Sequence, residues 1–305
     1  SVKENIVSAR IAKKSLMGLF EANRIIRQFL PDLIVTHSST DSWLFILAKI
    51  LAFHKAAVVR VRHVSAPVKN SWTSRWLYKK PAFVITTSED IRSHLINSLG
   101  IGADKCHSIP TGVETGRFSS DVLEGKRNVI RNQLGLAASL KLLVMVSTLR
   151  SWKGHEFAIR AMVALSDYSL LIVGDGPKEI YLKNLVSELN LGNRVLFVGY
   201  TSSVEDYLAA ADIFLQPSTS NEGVSQSLLQ AGALGLPVIA ANIGGLNEVV
   251  CQEKGGLLVE PGSSQEIVLA VKKYESTPEL ARNCGNVLRQ KIIAYHSHKI
   301  MIEKL

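Results

Sequence analysis

Cysteine, long apolar runs and, in the first third, acidic residues are scarce in this 305-residue sequence. The three cysteines, Cys106, Cys251 and Cys284, are odd in number and far apart, which disfavours a disulfide scaffold or a cysteine-rich zinc site and indicates a reducing compartment. The longest apolar run ends at Lys49 after about six residues, whereas a membrane-spanning helix needs ~18. Disulfide-rich secreted proteins and integral membrane proteins are therefore not expected.

The formal charge of +9 is confined to one part of the chain. Residues 1–110 hold 16 basic and 7 acidic side chains, whereas residues 111–305 hold 19 of each. Such asymmetry predicts an anionic partner for the first part, namely nucleic acid, an anionic membrane surface or a phosphorylated substrate. No helix-turn-helix, zinc-finger or RNA-binding motif is present, so no nucleic-acid partner is expected.

The first part alternates helices and short apolar strands. A helix is predicted over roughly Ile11–Leu30, and strands are predicted at Leu33–Thr36, Val58–Val61 and Phe83–Thr86. Ser88 has the character of an N-cap for a helix that runs to Leu99. This alternation predicts an α/β fold with a parallel sheet.

The alternation breaks at Ile109–Phe118, which contains a proline and two glycines, and then resumes. Six further strands are predicted at Leu142–Val146, Leu170–Val173, Val195–Val198, Ile213–Leu215, Val238–Ala240 and Gly256–Val259. Intervening helices are predicted near 155–165, 178–189, 203–210, 224–234 and 263–274. We therefore predict a Rossmann-like domain over 1–110, a second over 111–285, and a terminal helix over 286–305 that packs back toward the first domain.

Polar residues that follow the predicted strands are the candidate site, because ligands of such sheets bind beyond the carboxyl ends of the strands. Arg150 and Lys153 follow the first strand of the second domain and could clamp a diphosphate, although a solvated basic loop is the simpler alternative. Glu222 and Gly223 precede the helix at 224–234, where free N–H groups could hold a phosphate. Gly174–Pro177 has too few glycines for a dinucleotide fingerprint and predicts a tight turn.

Several segments together resemble glycosyltransferase family 4, whose members are retaining enzymes with the GT-B fold that use nucleotide sugars. The similarity covers roughly residues 30–305. It rests on an E-x7-E-like stretch over 222–230, the Gly-x-Pro-Val-Ile-Ala segment at 235–240, Gly-Gly-x-x-Glu-Val-Val at 244–250, Ile-Pro-Thr-Gly-Val-Glu at 109–114, and Lys153-Gly154. The resemblance implies a GT-B-like α/β fold, with two Rossmann-like domains facing a cleft.

The sequence departs from the family pattern in three places. The second acid of E-x7-E is Gln230, whose amide can still donate and accept hydrogen bonds to a ribose. Thr148 replaces the usual arginine, so Arg150 is expected to take over its diphosphate contact. The family's first strands and their Gly-Gly loop are not in this sequence, which starts without methionine, so we expect an N-terminally incomplete first domain.

Roles for individual residues follow from the resemblance. It assigns donor binding to Arg150, Lys153, Gly223, Val224, Ser225 and Gln230. It makes Glu222 an acceptor of a donor-sugar hydroxyl and puts His63 near the transferred sugar, both as catalytic residues. His37 and Asp41 are expected on the acceptor side if the sheet is parallel. No Asp-x-Asp motif is present, so we expect neither a metal nor another cofactor. The resemblance implies the mechanism commonly proposed for the family, front-face displacement, in which the leaving diphosphate assists the incoming hydroxyl.

The predicted function is the retaining transfer of a hexosyl group from a nucleotide sugar to a glycan or lipid-linked acceptor in cell-surface polysaccharide or lipopolysaccharide synthesis. We expect a cytoplasmic protein, peripheral at the inner face of the membrane. Basic residues of the first part are expected to form a membrane-facing or solvated surface: Lys13, Lys14, Arg24, Arg27, Lys79 and Lys80. A sugar-nucleotide epimerase of the same fold, or a non-catalytic sugar-nucleotide-binding protein, remains the alternative.

Overall fold

The structure, a computed structural model, describes residues 15–63, 66–119, 125–137, 140–220 and 222–305. The chain divides into two compact units between Ile109 and Pro110, which lies within the segment where the strand–helix alternation breaks. Each unit is built on its own parallel sheet. The predicted α/β class is therefore confirmed.

The first unit contains a four-stranded parallel sheet in the order β1-β2-β3-β4. The strands are β1 (Leu33–Thr36), β2 (Ala57–Arg62), β3 (Phe83–Thr86) and β4 (Cys106–Ser108), and the helices are α1 (Leu16–Phe29), α2 (Ser39–Leu51), α3 (Trp72–Lys79) and α4 (Glu89–Leu99). Three of the strands match the predictions. The fourth, β4, is a short strand with polar residues that hydrophobic pattern did not indicate.

Serine N-caps define the starts of these helices. Ser15, Ser38, Ser71 and Ser88 each accept a hydrogen bond from a main-chain N–H of the first turn, which satisfies a donor that has no partner within the helix. The described part of α1 begins after Ser15, so the predicted helical residues 11–14, with Lys13 and Lys14, lie outside the described residues.

The second unit contains a six-stranded parallel sheet in the order β10-β9-β8-β5-β6-β7. Its strands are β5 (Lys141–Val146), β6 (Tyr168–Val173), β7 (Val195–Gly199), β8 (Ile213–Gln216), β9 (Val238–Ala241) and β10 (Leu257–Val259). Its helices are α5 (Lys126–Gln133), α6 (His155–Ala161), α7 (Glu179–Glu188), α8 (Val204–Ala210), α9 (Gln226–Ala233), α10 (Gly244–Val249), α11 (Ser264–Ser276), α12 (Pro278–Tyr295) and α13 (His298–Glu303). All six predicted strands are present, within a residue or two at each end.

The strand order reverses between β5 and β8, and this reversal positions the site. From β5 the chain proceeds outward through β6 and β7, and from β8 it proceeds the other way through β9 and β10. The helices that follow β5 and β8 therefore pack on opposite faces of the sheet, and the loops that leave these two strands lie side by side at their carboxyl ends, where ligands of such sheets bind. Apolar cores cover both faces of the sheet, and they include Leu143 and Ile172 on one face and Val144 and Phe214 on the other.

The end of the chain forms two helices where the sequence predicted a single one over 286–305. Helix α12 ends at Tyr295, and α13 starts after Ser297, whose hydroxyl accepts the N–H of Ile300. The interruption exists because main-chain bonds join this corner to Val113: the Val113 N–H donates to His296 O at 2.7 Å, and the His298 N–H donates to Val113 O at 3.0 Å. Packing toward the first domain stays a prediction.

Among the described residues, no helix is both long enough and apolar enough to cross a lipid bilayer.

Candidate functional site

The loop after β5 contains Arg150 and Lys153 and makes an exceptionally close approach to the loop after β8. Residues Ser151–Lys153 form one 3-10 turn that ends at Gly154, where φ is +76°. A Cβ atom at Gly154 would lie 1.8 Å from the main-chain oxygen of Pro217, so only glycine fits there. The Thr219 N–H also donates to Trp152 O at 2.8 Å. These contacts hold the two loops together at the switch point of the sheet, where the strand order reverses between β5 and β8.

Lys153 and Glu222 form an ion pair across this junction, 69 residues apart in sequence. The Lys153 Nζ lies 2.6 Å from Glu222 Oε1. Glu222 is only 5% exposed and the Lys153 side chain 20%, so the pair is largely shielded from water. The same carboxylate oxygen accepts the Ser218 hydroxyl at 2.7 Å. The sequence predicted both residues as functional, and the structure brings them into direct contact.

A buried glutamine extends the polar network behind Glu222. Gln216, the last residue of β8, is 2% exposed, and its Nε2 donates to Ser218 Oγ at 3.1 Å. Its Oε1 accepts the hydroxyls of Ser225 and Ser227 at 3.1 and 3.2 Å. Ser218 is thereby held with its proton toward Glu222. Sequence reasoning missed Gln216 and Ser218, although a polar residue ending an otherwise apolar strand was the available signal.

Helix α9 begins later than the sequence predicted. Ser225 is its N-cap in extended conformation, and the helix starts at Gln226, so Glu222 lies three residues before the N-cap in a loop. The intervening Gly223 and Val224 are buried, because Gly245 of α10 packs directly on the Gly223 main chain. Gln230 lies about one turn into α9 and is half-buried. The predicted helix start at residue 224 is therefore wrong, and Glu222 does not lie directly before the first turn of the helix.

Arg150 and His155 flank Lys153 on the loop that leaves β5. Arg150 is exposed, with its guanidinium carbon 5.2 Å from the centre of the Trp152 ring. His155 is 2% exposed, and its Nε2 lies 3.1 Å from the Ser147 hydroxyl. Burial, together with the charge of Lys153, lowers the pKa of His155 to about 4, so the ring is neutral near pH 7. His155 was missed because nothing in its local sequence marks it as buried.

In the first unit, His37 and His63 meet beyond the ends of β1 and β2. The His37 Nδ1 and His63 Nε2 atoms are 2.9 Å apart, and the two rings stack with centroids 5.2 Å apart. Loss of water around the ring and, secondarily, the charge of His37 lower the pKa of His63. At least one ring must be neutral for a hydrogen bond to join the two nitrogens. The paired imidazoles can hold and relay a proton or bind a sugar hydroxyl.

Asp41 has a structural explanation. Its carboxylate accepts the N–H groups of His37 and Ser38 at 2.8 Å, and Ser38 Oγ in turn accepts the Asp41 N–H, which forms a capping box for α2. Asp41 therefore fixes the loop that carries His37. Its predicted contact with an acceptor stays a prediction, as do the roles assigned to the other site residues.

Among the residues that the structure describes, no three His, Cys, Asp or Glu side chains cluster in a way that could hold a metal ion.

Two family models match the chain. The model for glycosyl transferases group 1 matches residues 126–291, more than half of the chain, and the model for Glycosyltransferase Family 4 matches residues 2–117. The two matches together include every site residue predicted from the sequence.

Individual relatives are distant. A UDP-Gal:alpha-D-GlcNAc-diphosphoundecaprenol alpha-1,3-galactosyltransferase of Escherichia coli is 27% identical over 90% of this chain and 74% of its own length. An N-acetyl-alpha-D-glucosaminyl L-malate synthase of Bacillus anthracis is 32% identical, over 56% of this chain, and the chain spans only 46% of that protein.

Solved structures share the fold. A glycosyltransferase of Rickettsia africae superposes with a TM-score of 0.85 at 22% identity, over 98% of this chain and 82% of the other. Anabaena HepE, solved in complex with UDP, has a TM-score of 0.81 at 22% identity, over 93% of this chain and 79% of the other. The fold predicted from the sequence is thus confirmed, and the chain belongs to the group 1 glycosyl transferases, in the GT-B-fold family 4 that its motifs indicated.

Proposed function

We propose that the protein transfers a hexosyl group from a nucleotide sugar to a glycan or lipid-linked acceptor, with retention at the anomeric carbon. The observation that carries the proposal is the shielded Lys153–Glu222 pair at the switch point of the second sheet. The UDP complex of Anabaena HepE and the undecaprenol-linked substrate in the name of the Escherichia coli relative support the two substrate classes.

On the donor side, Lys153 and Arg150 neutralise the diphosphate, and Glu222 orients the sugar. An ammonium group on a loop that glycine holds close to its neighbour stabilises the charge that develops on the leaving diphosphate. Glu222 accepts a sugar hydroxyl while Ser218 and Lys153 keep its carboxylate fixed. Gly223, Val224 and Ser225 contribute the main chain of the donor loop, and Gln230 binds the ribose through its amide.

On the acceptor side, His63 binds a hydroxyl of the transferred sugar or of the acceptor, and His37 orients it. The lowered pKa of His63 keeps its ring neutral at physiological pH, so that it can accept a proton from a hydroxyl group. Front-face displacement needs no protein nucleophile, because the leaving diphosphate assists the incoming hydroxyl.

The test is transfer by the full chain from a panel of nucleotide sugars, with Glu222→Gln as the variant. Loss of a charged acceptor of a hydrogen bond, about 1.5–3 kcal/mol, should lower the rate of transfer by roughly one to two orders of magnitude. Glu275→Gln is the matched control, because Glu275 pairs with Lys141 at the opposite, amino-terminal edge of the sheet. Donor binding with neither transfer nor hydrolysis would instead favour the non-catalytic alternative.

We further propose that the first unit brings the protein to the cytoplasmic face of the membrane, as expected for lipopolysaccharide or other cell-surface polysaccharide synthesis. Helix α3 and the residue after it combine Trp72, which is 76% exposed, with Arg75, Lys79 and Lys80. Interfacial helices typically pair aromatic and basic side chains in this way. Helix α1 adds Phe20, which is 72% exposed.

Sedimentation with anionic vesicles tests this second proposal. Each cation near an anionic surface contributes about 1 kcal/mol, so binding should weaken steeply between low and high salt. Lys79→Gln combined with Lys80→Gln should reduce binding at low salt by roughly one order of magnitude. Salt-independent binding, or none at low salt, contradicts a peripheral location.

A further inference from the structure

Helices α2 and α3 of the first unit enclose a cavity of about 510 Å³ that the predicted site residues do not use. One end is lined by four hydroxyl groups, those of Ser39, Thr40, Thr73 and Ser74. All four belong to the first turns of the two helices, so two helix N-termini, with their partial positive charges, meet at this end. The cavity therefore has a polar end that favours a negative charge.

The remainder of the cavity is apolar. Trp43, Leu44 and Leu47 of α2 line it on one side, and Leu77 of α3 lines it on the other. Trp43 stacks on Trp76 with ring centroids 4.5 Å apart, which fixes the aromatic wall. An apolar chain, more than a sugar, matches these surfaces.

A buried arginine lies directly behind the hydroxyl end. Arg60 is 2% exposed, and its guanidinium carbon lies 4.4 Å from the centre of the Tyr78 ring. Its two Nη atoms donate only to neutral acceptors: Nη1 to Ser38 O at 3.0 Å and to Ser42 Oγ, and Nη2 to Ser39 Oγ at 3.1 Å and to the Tyr78 hydroxyl at 3.3 Å. Arg62 donates to the same Tyr78 hydroxyl at 2.9 Å. None of the ion pairs among the described residues includes Arg60 or Arg62, and the Arg60 Nε has no hydrogen-bond partner.

Neutral acceptors satisfy the Arg60 Nη donors but leave its positive charge in a buried position, and a buried charge without a counter-ion is costly. An anion bound close to Arg60 is therefore favoured. The nearby Asp41 does not supply the charge, because its carboxylate turns back to the N–H groups of His37 and Ser38 and does not line the cavity. The ligand that satisfies both ends of the cavity is an anionic head attached to an apolar chain.

We infer that this cavity binds a phosphate-bearing lipid, with the phosphate against the Ser39–Thr40 end in front of Arg60 and the apolar chain along Trp43 and Leu47. That the lipid is the acceptor rests on the proposed function; that it binds here does not. The site differs from a general attraction to membranes, because it holds one molecule and depends on side chains within the cavity.

The experiment is calorimetric titration of the full chain with dodecyl phosphate, below its critical micelle concentration. We expect saturable binding of one molecule per chain, at least tenfold tighter than binding of neutral dodecyl maltoside or of inorganic phosphate. Equal binding of the maltoside would overturn the anionic end of the site. Equal binding of inorganic phosphate would overturn the apolar end.

Two pairs of variants connect binding to the cavity. Leu47→Trp fills the apolar part and should weaken binding of dodecyl phosphate at least tenfold, whereas Leu51→Trp, one turn further along α2 and 56% exposed, should change it less than twofold. Thr40→Glu puts a carboxylate at the polar end and should weaken binding tenfold or more, unlike Thr40→Gln. An acid in the first turn favours α2, so this variant should fold even if Leu47→Trp does not.

Equal effects within each pair would show that the amphiphile adsorbs elsewhere, and the inference would be wrong. UDP titration of the same variants separates this inference from the proposed function. All four variants should bind UDP as the parent protein does, because the cavity belongs to the first unit and the donor loops to the second. A parent protein that binds dodecyl phosphate but no nucleoside diphosphate would contradict the proposed function alone.

Discussion

Replacing Lys153 by methionine should destabilise the second unit through Glu222. Loss of one partner of a buried pair costs about 3–5 kcal/mol, because the other charge is left without compensation. Lys153 is 20% exposed and Ser218 still donates to Glu222, so we expect a cost below that range, about 1.5–3 kcal/mol. For a unit of this size the melting temperature should fall by roughly 3–10 °C.

A double-mutant cycle with Glu222→Gln isolates the pair. Lys153→Met combined with Glu222→Gln should be more stable than Lys153→Met alone, with a coupling free energy of about 1 kcal/mol or more. Lys141→Met is the control, because its pair with Glu275 is exposed and should contribute less than about 1 kcal/mol. Urea unfolding of the full chain provides the free energies.

The same variants separate the stability of the loop from its proposed role in donor binding. Lys153→Met should weaken UDP binding about tenfold or more, because a charge-assisted hydrogen bond to the diphosphate is lost. Glu222→Gln should not weaken it, since the diphosphate no longer competes with a carboxylate for Lys153. A coupling below about 0.5 kcal/mol, together with unchanged UDP affinity in Lys153→Met, would refute the assignment of this pair.

Three further outcomes are expected. Burial lowers the pKa of His155 and of His296 to about 4 in the folded protein, below the value in the unfolded chain. The contribution of each histidine to stability is therefore complete above pH 6.5 and falls as the pH drops toward 4, and at pH 5 the free energy of unfolding should be lower by about 2 kcal/mol per histidine. In urea unfolding, His155→Gln should flatten the dependence of the midpoint on pH. Gly154→Ala should abolish donor binding and lower stability by several kcal/mol (about 3 or more), whereas Gly135→Ala, also at positive φ but with open space around it, should cost only about 1 kcal/mol in thermal unfolding. Gln230→Glu should tighten donor binding in calorimetry; abolished binding would mean that the amide is adapted to a different donor contact.

Most strands of the second unit were predictable because they are buried on both faces. Runs such as Leu142–Val146 and Leu170–Val173 have no exposed side that would need polar residues. The start of α9 was not predictable in the same way, because Val224 continues the apolar pattern of the helix although it packs as loop. The apolar pattern of a sequence indicates which residues are buried, but not whether they are helical. Val224 is buried in a loop, so its apolar side chain gave a helix start that was too early.

The members of the candidate site were largely predictable, but their contacts were not. Parallel topology puts Lys153 and Glu222 at the same edge of the sheet, since both follow strand ends. It does not bring an ammonium group within 2.6 Å of a carboxylate, which requires the Gly154–Pro217 approach between two loops distant in sequence. His155 illustrates the remaining limit, because its burial arises from residues that local sequence does not specify.

The hydrogen bonds between Val113 and residues 296–298 bring the beginning and the end of the second unit into contact. Its first and last segments meet as neighbouring main chains, and Gly112 N–H reaches the Met301 sulfur at 3.2 Å. A short linker could therefore join the two ends, and new termini could be opened in an exposed loop such as that near Gly192 without disturbing the sheet. The unit is thus suited to circular permutation, in which the order of its strands along the chain changes while their order in the sheet is kept.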